Sequence, residues 1–113
     1  MPSRIFDVQQ FTPISVAVNA SAAADNAIVA APVATLRIVI LAFSLVATGA
    51  NTVTWLTNAA GITGPVDLGA LGVWSNGDGA SPLLFGAAGG ALNLRLSAAT
   101  KVAGFVTYAL DVV

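Results

Sequence analysis

The side chains that could do chemistry in this chain are few, and none of them forms a catalytic pair. The sequence contains no His, no Cys and no Glu. Acid–base and nucleophilic catalysis usually draw on His, Cys, Lys or paired carboxylates. The sequence therefore predicts a protein that is not an enzyme, with no catalytic residue and no bound cofactor. The acids stand apart from one another along the chain: Asp7, Asp25, Asp67, Asp78 and Asp111.

The segment Asn76-Gly77-Asp78-Gly79 is the best candidate for a metal site. Calcium binds clusters of carboxylate, amide and carbonyl oxygens. A single carboxylate is far fewer than a calcium loop supplies, and Asn-Gly and Asp-Gly are typical of tight turns. We therefore expect a turn at this segment and no bound metal.

Three aromatic residues raise the possibility of a sugar-binding platform. Trp55, Trp74 and Tyr108 are of the kind that stacks on sugar rings, but aromatic residues also anchor cores and interfaces. Trp55 lies in an alternating segment that predicts a core position. Trp74 lies in a Gly-rich segment and is predicted to contact a partner. A carbohydrate-binding β-sandwich module, with Trp74 and Tyr108 as the contacts, stays an alternative.

Arg37 and Arg95 each interrupt an apolar segment. A buried guanidinium group requires a partner. One hypothesis pairs these residues with Asp67 or Asp111, either within the chain or across a subunit interface. The other leaves each guanidinium at a solvent-facing edge, with its aliphatic stem lying along apolar surface.

The composition predicts a protein that associates with others. Only 8% of the residues are charged and 57% are hydrophobic, whereas globular domains carry about 25% charged residues. A net charge of −1 with scattered bases argues against nucleic-acid binding. The longest apolar run, residues 38–50, is shorter than the roughly 20 residues of a membrane-spanning helix. We expect an obligate oligomer or a subunit of a larger assembly, with no nucleic-acid or membrane partner.

The elements that position these residues are predicted to be short strands. Alternation is strongest at residues 36–47, where both faces are apolar, which indicates a strand covered on both sides. Residues 48–51 predict a hairpin to the next strand, and residues 69–79 predict a Gly-rich loop. In total about eight strands are expected, which is typical of a sandwich or barrel. The other predicted strands are 14–19, 27–31, 51–57, 62–68, 83–85, 91–96 and 101–113.

The first 13 residues differ in character from the rest. Pro2 and Pro13 argue against a helix, so residues 1–13 are interpreted as an extended N-terminal arm and residues 14–113 as a β-sandwich domain. Phe6 and Phe11 would be unusual in a segment that touches nothing. We therefore expect the arm to dock on a neighbouring subunit. The predicted partner contacts are Arg4, Phe6, Phe11 and Trp74.

Four segments carry a resemblance to a known group of proteins. They are NAIVAA at residues 26–31, LRIV at 36–39, ATGANTVT at 47–54 and GGALNLRLSAAT at 89–100, the last leading into a strand with Gly and Tyr. Together they resemble the short jelly-roll proteins that decorate or cement the capsids of tailed bacteriophages. The resemblance covers most of the chain from residue 26 onward and consists of turn and apolar patterns.

The resemblance implies both a fold and a role. Decoration proteins are β-sandwiches, often trimers, that bridge major capsid subunits without catalysis. We therefore expect an all-β, jelly-roll-like antiparallel β-sandwich, located on the capsid surface of a virion. The expected partners are the major capsid protein and further copies of the chain in a homotrimer. A tail, fibre or spike component is the alternative within the same particle.

Overall fold

The computed structural model describes residues 12–113, which form two packed antiparallel sheets. The described residues contain no helix. The strands are β1 (Ile14–Ala20), β2 (Asp25–Val29), β3 (Leu36–Ala47), β4 (Asn51–Thr57), β5 (Ala60–Gly61), β6 (Val66–Leu68), β7 (Val73–Gly77), β8 (Leu84–Phe85), β9 (Leu92–Leu96) and β10 (Val102–Val112).

The order of the strands is that of a jelly roll. Sheet A runs β1-β10-β3-β7, with β8 also on β3, and sheet B runs β2-β9-β4-β5, with β6 also on β4. The strands β7 and β8 lie end to end along β3, and β5 and β6 lie end to end along β4. Counting each of these pairs once and renumbering along the chain gives the orders 1-8-3-6 and 2-7-4-5. This arrangement of two Greek keys is the jelly roll, and the predicted β-sandwich is confirmed.

The core lies between the two sheets, and β3 changes the face that it contributes. Its register with β10 skips Leu41, which forms a β-bulge. Before the bulge Ile38 and Ile40 point into the core, and after it Phe43 and Leu45 do so. Strict alternation had placed these two pairs on opposite faces of one strand. The prediction was wrong because one extra residue reverses the side on which every later side chain lies.

The segment 48–51 is not the predicted hairpin. It carries the chain from β3 in sheet A to β4 in sheet B, so the two strands do not pair. The side chain of Asn51 fixes this crossing, because its Nδ2 donates to the carbonyl oxygens of Ala98 and Thr100. Its Oδ1 accepts from the backbone N–H of Ser97. The turn residues therefore join two connections between the sheets.

The Gly-rich segment 69–79 is only partly a loop. Its second half forms β7, which pairs with residues 42–46 of β3. Gly77 ends this pairing with a φ of 88°, and a Cβ at this position would overlap the carbonyl oxygen of Leu41. The glycine is needed where β7 passes the bulge, so the glycines that suggested a loop permit a strand.

The predicted arm and three of its contact residues lie outside the described residues. They are Arg4, Phe6 and Phe11, so their role stays a prediction. Of residues 1–13, only Thr12 and Pro13 are described, and both are exposed ahead of β1.

Candidate interaction surface

The outer side of sheet A presents an exposed area without a charged side chain. It is formed by the outward side chains of β1, of residues 42–46 in β3, of β7 and of residues 103–107 in β10, and we call it the sheet A surface. Phe105 is 44% exposed there, Val46 36% and Val73 61%. Contiguous exposed apolar groups on a soluble domain mark places where another molecule binds.

Phe105 is the largest side chain of the sheet A surface. In the register it lies between Ala17 of β1 and Ser44 of β3, and Ser44 lies next to Ser75 of β7. Since all three neighbours are small, the ring rises above the sheet around it. This shape suits insertion into a pocket of a partner.

Leu71 is a further exposed apolar residue, two positions before the start of β7. It is 75% exposed, and its φ of 61° lies in the left-handed region that favours glycine and asparagine. Its backbone N–H donates to the carbonyl oxygen of Ala47 at 2.7 Å, and Gly72 N–H donates to that of Gly69 at 2.9 Å. The turn therefore holds a large apolar side chain in water at an unfavourable backbone conformation.

The other half of the outer side of sheet A is buried. Val39, Leu41 and Ala109 form a separate apolar cluster with no exposed area. Strand β3 is thus covered on both sides, as predicted, only up to the bulge.

An ion pair with a half-buried guanidinium and a buried carboxylate lies beside that cluster. Arg37 donates from Nε and Nη2 to Oδ2 of Asp111 at 2.9 and 2.7 Å, and Asp111 is 1% exposed. The guanidinium carbon lies 4.6 Å from the centre of the Phe85 ring, close enough for a cation–π contact. The hypothesis that Arg37 pairs with Asp111 is confirmed, and the pair lies within one chain.

The outer side of sheet B, in contrast, carries charge. Arg95 donates to both carboxylate oxygens of Asp25 at 2.7 and 3.2 Å, because the two residues face each other in the register of β9 and β2. The hydrogen bond from Arg95 holds the pKa of Asp25 below its ordinary value. Neither Asp67 nor Asp111 is the partner of Arg95, so that hypothesis was wrong.

Sheet B also has an open hollow of about 380 Å³. It is lined in part by Asn51, Thr52, Asp67 and Ser97. Thr52 donates its hydroxyl hydrogen to Asp67 at 2.7 Å, and Asn51 is bonded to the neighbouring turn. These polar groups are used in holding strands and turns together.

The aromatic residues do not form a common platform. Trp55 is fully buried, as predicted, and its indole Nε1–H has no hydrogen-bond partner among the described residues. Trp74 lies on β7 and packs edge-on against Phe43, with the ring centres 4.8 Å apart. Tyr108 lies opposite Ile40, well away from Trp74, and both rings pack against the core. The two rings are therefore not arranged to hold one sugar between them.

Asn76 and Gly77 form the end of β7, so the predicted turn begins only at Asp78. Oδ1 of Asp78 accepts from the backbone N–H groups of Ala80 and Ser81 at 2.9 and 3.0 Å, and Oδ1 of Asn76 accepts from Gly77 N–H. The bond from Ala80, followed by that from Ser81, lowers the pKa of Asp78. Among residues 12–113 no group of three or more acidic, His or Cys side chains could hold a metal.

Of the four predicted contact residues, only Trp74 is described, and it is half-buried. The structure adds Phe105, Val46, Val73 and Leu71, which the sequence reasoning missed. Alternation along the last strand places Phe105 on the face opposite Val102 and Val106, without indicating which face is the core. Alternation alone does not predict the surface around Phe105. The neighbouring strands must also be known, since they determine which apolar residues lie together.

Comparison with known proteins adds no relative to this description. Within residues 12–113 there is no helix of the length and hydropathy needed to cross a membrane. No protein family model, curated protein or solved structure matches the chain.

Proposed function

We propose that the protein is a structural subunit of a bacteriophage virion, which decorates or cements the capsid by bridging major capsid subunits. The sheet A surface is the observation that carries this proposal. It is exposed, it is apolar at Phe105, Val46 and Val73, and it has no charged side chain. Docking against a shell requires exposed apolar area and no chemistry, and the exposed apolar side chains of the sheet A surface support this role.

Leu71 also supports a docking role for the protein. A non-glycine residue in the left-handed region costs about 1 kcal/mol or more. Such strain usually persists where it serves a function. An exposed leucine gains nothing from that conformation in the isolated subunit, but it gains buried area when a partner covers it.

The capsid itself is inferred from the resemblance and the composition. With 8% charged residues, the chain has few groups to keep a free subunit apart from its neighbours. The homotrimer is a prediction on the same basis. The mass in solution tests the trimer independently of capsid binding.

Co-sedimentation with empty shells tests the role directly. The shells would be assembled from the major capsid protein of the phage that encodes the chain. We expect saturable binding of the wild-type chain. Phe105→Asp should lower the occupancy at least about tenfold, because it places a charge in an apolar contact. Ala27→Asp is the matched control, since Ala27 is exposed on β2 of sheet B, and it should bind as the wild type does.

Equal binding by the two variants would remove the sheet A surface from the proposal. Failure of the wild-type chain to bind any shell would contradict the capsid role itself. Circular dichroism of both variants verifies that the sandwich stays folded.

Deletion of residues 2–12 tests the predicted arm. The deletion removes one exposed described residue, Thr12, and ends before β1. We expect the sandwich to fold and the occupancy on shells to fall. Occupancy equal to that of the full chain would mean that the arm does not anchor the subunit.

A tail, fibre or spike location is separated from a capsid location by fractionation. Heads and tails of disrupted virions would be purified and the chain quantified in each by mass spectrometry. The capsid role predicts that it is found with the heads. Recovery with the tails alone would favour the alternative.

A further inference from the structure

Strand β1 forms one edge of sheet A. Among the described residues it pairs only with β10. In an antiparallel pair, alternate residues direct their N–H and C=O groups away from the partner strand. Such an edge is a template on which a further strand can pair.

The edges of the two sheets differ in how they prevent such pairing. Strand β2 carries the Asp25–Arg95 ion pair and a register shift after Ala27, and charges and bulges both block edge pairing. Strand β5 has only two residues. Strand β1 has seven residues, no charge, no proline and no register shift. At the other edge of sheet A, β7 also has no charge, no proline and no register shift, but it has only five residues. In the described part of the chain, β1 is therefore the longest edge strand without such a device.

The sequence of β1 is nearly symmetric about its middle residue. Counting outward from Ala17, Val16 matches Val18 and Ser15 matches Asn19 in polarity. We propose that two copies of the chain pair β1 with β1, antiparallel, around a two-fold axis at Ala17. This register uses all seven residues, whereas a shift of the axis by one residue leaves only five paired.

The proposed register matches the side chains on both faces of the strand. On the core side, Val16 lies opposite the partner's Val18, and Ile14, which is 41% exposed, lies opposite the partner's Ala20. A large side chain then fills the space beside a small one. On the outer side, Ser15 lies opposite the partner's Asn19, and the two alanines meet at the axis. No charge is buried or opposed.

Pairing would also enlarge the sheet A surface. The four-strand path of sheet A would continue into that of the second copy. The two Phe105 side chains would lie on either side of the axis, each one strand away from it, because Phe105 is next to Ala17. This contact requires no capsid, so its test is separate from that of the proposed function.

Introducing charges of opposite sign at Ala17 tests the proposed two-fold axis. Ala17→Asp alone and Ala17→Lys alone each place like charges opposite one another, which disfavours pairing. We expect each variant to weaken self-association on the order of 100-fold. An equimolar mixture of the two should pair again, since opposite charges then meet. Ala27→Asp, on the charged edge of sheet B, should associate as the wild type does. Sedimentation velocity with the full chain measures all four samples.

A disulfide provides a second readout that does not depend on affinity. The chain has no cysteine, so Ala17→Cys introduces its only thiol. Residues opposite one another in an antiparallel pair have Cα atoms about 4.5–5.5 Å apart, which suits a disulfide. We expect rapid oxidation to a covalent dimer for Ala17→Cys and little for Ala27→Cys.

The outcomes decide the proposal. Pairing predicts an even number of chains: two, or six if the pairing joins two trimers. An even assembly, rescue in the mixture and a disulfide cross-link in the Ala17→Cys variant together establish the contact. A monomer or an isolated trimer without that cross-link overturns it, as does a mixture that associates no better than either variant alone.

Discussion

The two sheets share one core but differ on their outer sides. Sheet B carries the Asp25–Arg95 ion pair and the Thr52–Asp67 hydrogen bond, whereas the sheet A surface carries no charged group. The strands that border them differ in the same way, since β2 has a charge and a bulge and β1 has neither. In a chain with so few charges, their placement leaves exposed apolar side chains on the outer side of sheet A and an exposed ion pair on the outer side of sheet B.

The largest effect is expected at Gly104 of sheet A, where the neighbouring backbone leaves no room for a side chain. Gly104 in β10 has a φ of 151°, and a Cβ there would overlap the carbonyl oxygen of Ser44. We expect Gly104→Ala to lower the free energy of unfolding by about 4 kcal/mol, because it adds backbone strain and a clash within the sheet. Urea denaturation measures the change.

The control for Gly104→Ala is a glycine in a loop between two strands of sheet B. Gly64, between β5 and β6, has no atom within 4 Å of a Cβ built on it. Gly64→Ala should change the free energy of unfolding by no more than about 0.5 kcal/mol. A similar loss for both variants would mean that the backbone around Gly104 does not make this position special.

The next effect compares the ion pairs of the two sheets. Arg37→Met leaves the buried carboxylate of Asp111 without two of its donors, and we expect a loss of about 3 kcal/mol. Arg95→Met breaks a pair that is exposed to solvent, so its effect on unfolding should be too small to resolve. Thermal and urea denaturation compare the two variants. Equal losses of stability in the two variants would contradict the expectation that the Arg37–Asp111 pair contributes more to stability than the Arg95–Asp25 pair.

A smaller effect, of opposite sign, is expected at one of the two non-glycine residues with positive φ in the described part of the chain. Leu71→Gly relieves an unfavourable conformation and should stabilise the free chain by about 1 kcal/mol. Asn58→Gly, on the side of sheet B, should not stabilise it. Asparagine tolerates a φ of 53°, and the Oδ1 of Asn58 accepts from Ala91 N–H. If Leu71→Gly stabilises the chain and also weakens shell binding, the strained backbone at Leu71 serves the contact with the shell. Unchanged shell binding would leave the leucine without that role.

The smallest effect concerns acid. The pKa values of Asp25 and Asp78 are lowered in the folded chain by the hydrogen bonds that their carboxylates accept. A lowered pKa contributes stability that is present above the ordinary value of 3.8 and is lost as the pH falls through the folded value. Urea midpoints should therefore change little between about pH 7 and 5 and fall below about pH 4. Asp78→Asn should reduce that fall, and an unaltered slope would contradict the assignment.

Much of the fold follows from local patterns. Alternation predicted the bounds of β3 and β4 as the structure has them, because apolar side chains recur with a period of two. It did not predict that Leu41 forms a bulge or that β3 and β4 belong to different sheets. Those features depend on the pairing of distant residues, which a period does not encode.

The interaction surface was harder to predict from the sequence than the strands were. Phe105 and Val46 are separated along the chain and are brought into neighbouring rows of one surface by the register of β10 and β3. Their exposure depends on which half of β3 is covered, which no local pattern reports. The scarcity of charge predicted that such a surface exists, but not where it lies.

The position of β10 has a consequence for the synthesis of the protein. This last strand lies between β1 and β3, so the hydroxyl groups of Ser15 and Thr107 meet across 92 residues of sequence. Sheet A is therefore incomplete on the ribosome until residues 102–112 have emerged. During that interval the apolar strands β1 and β3 lack β10, the strand with which both of them pair. Folding should be slow, as is typical of distant pairing, and dependent on conditions that keep the unfinished chain from aggregating.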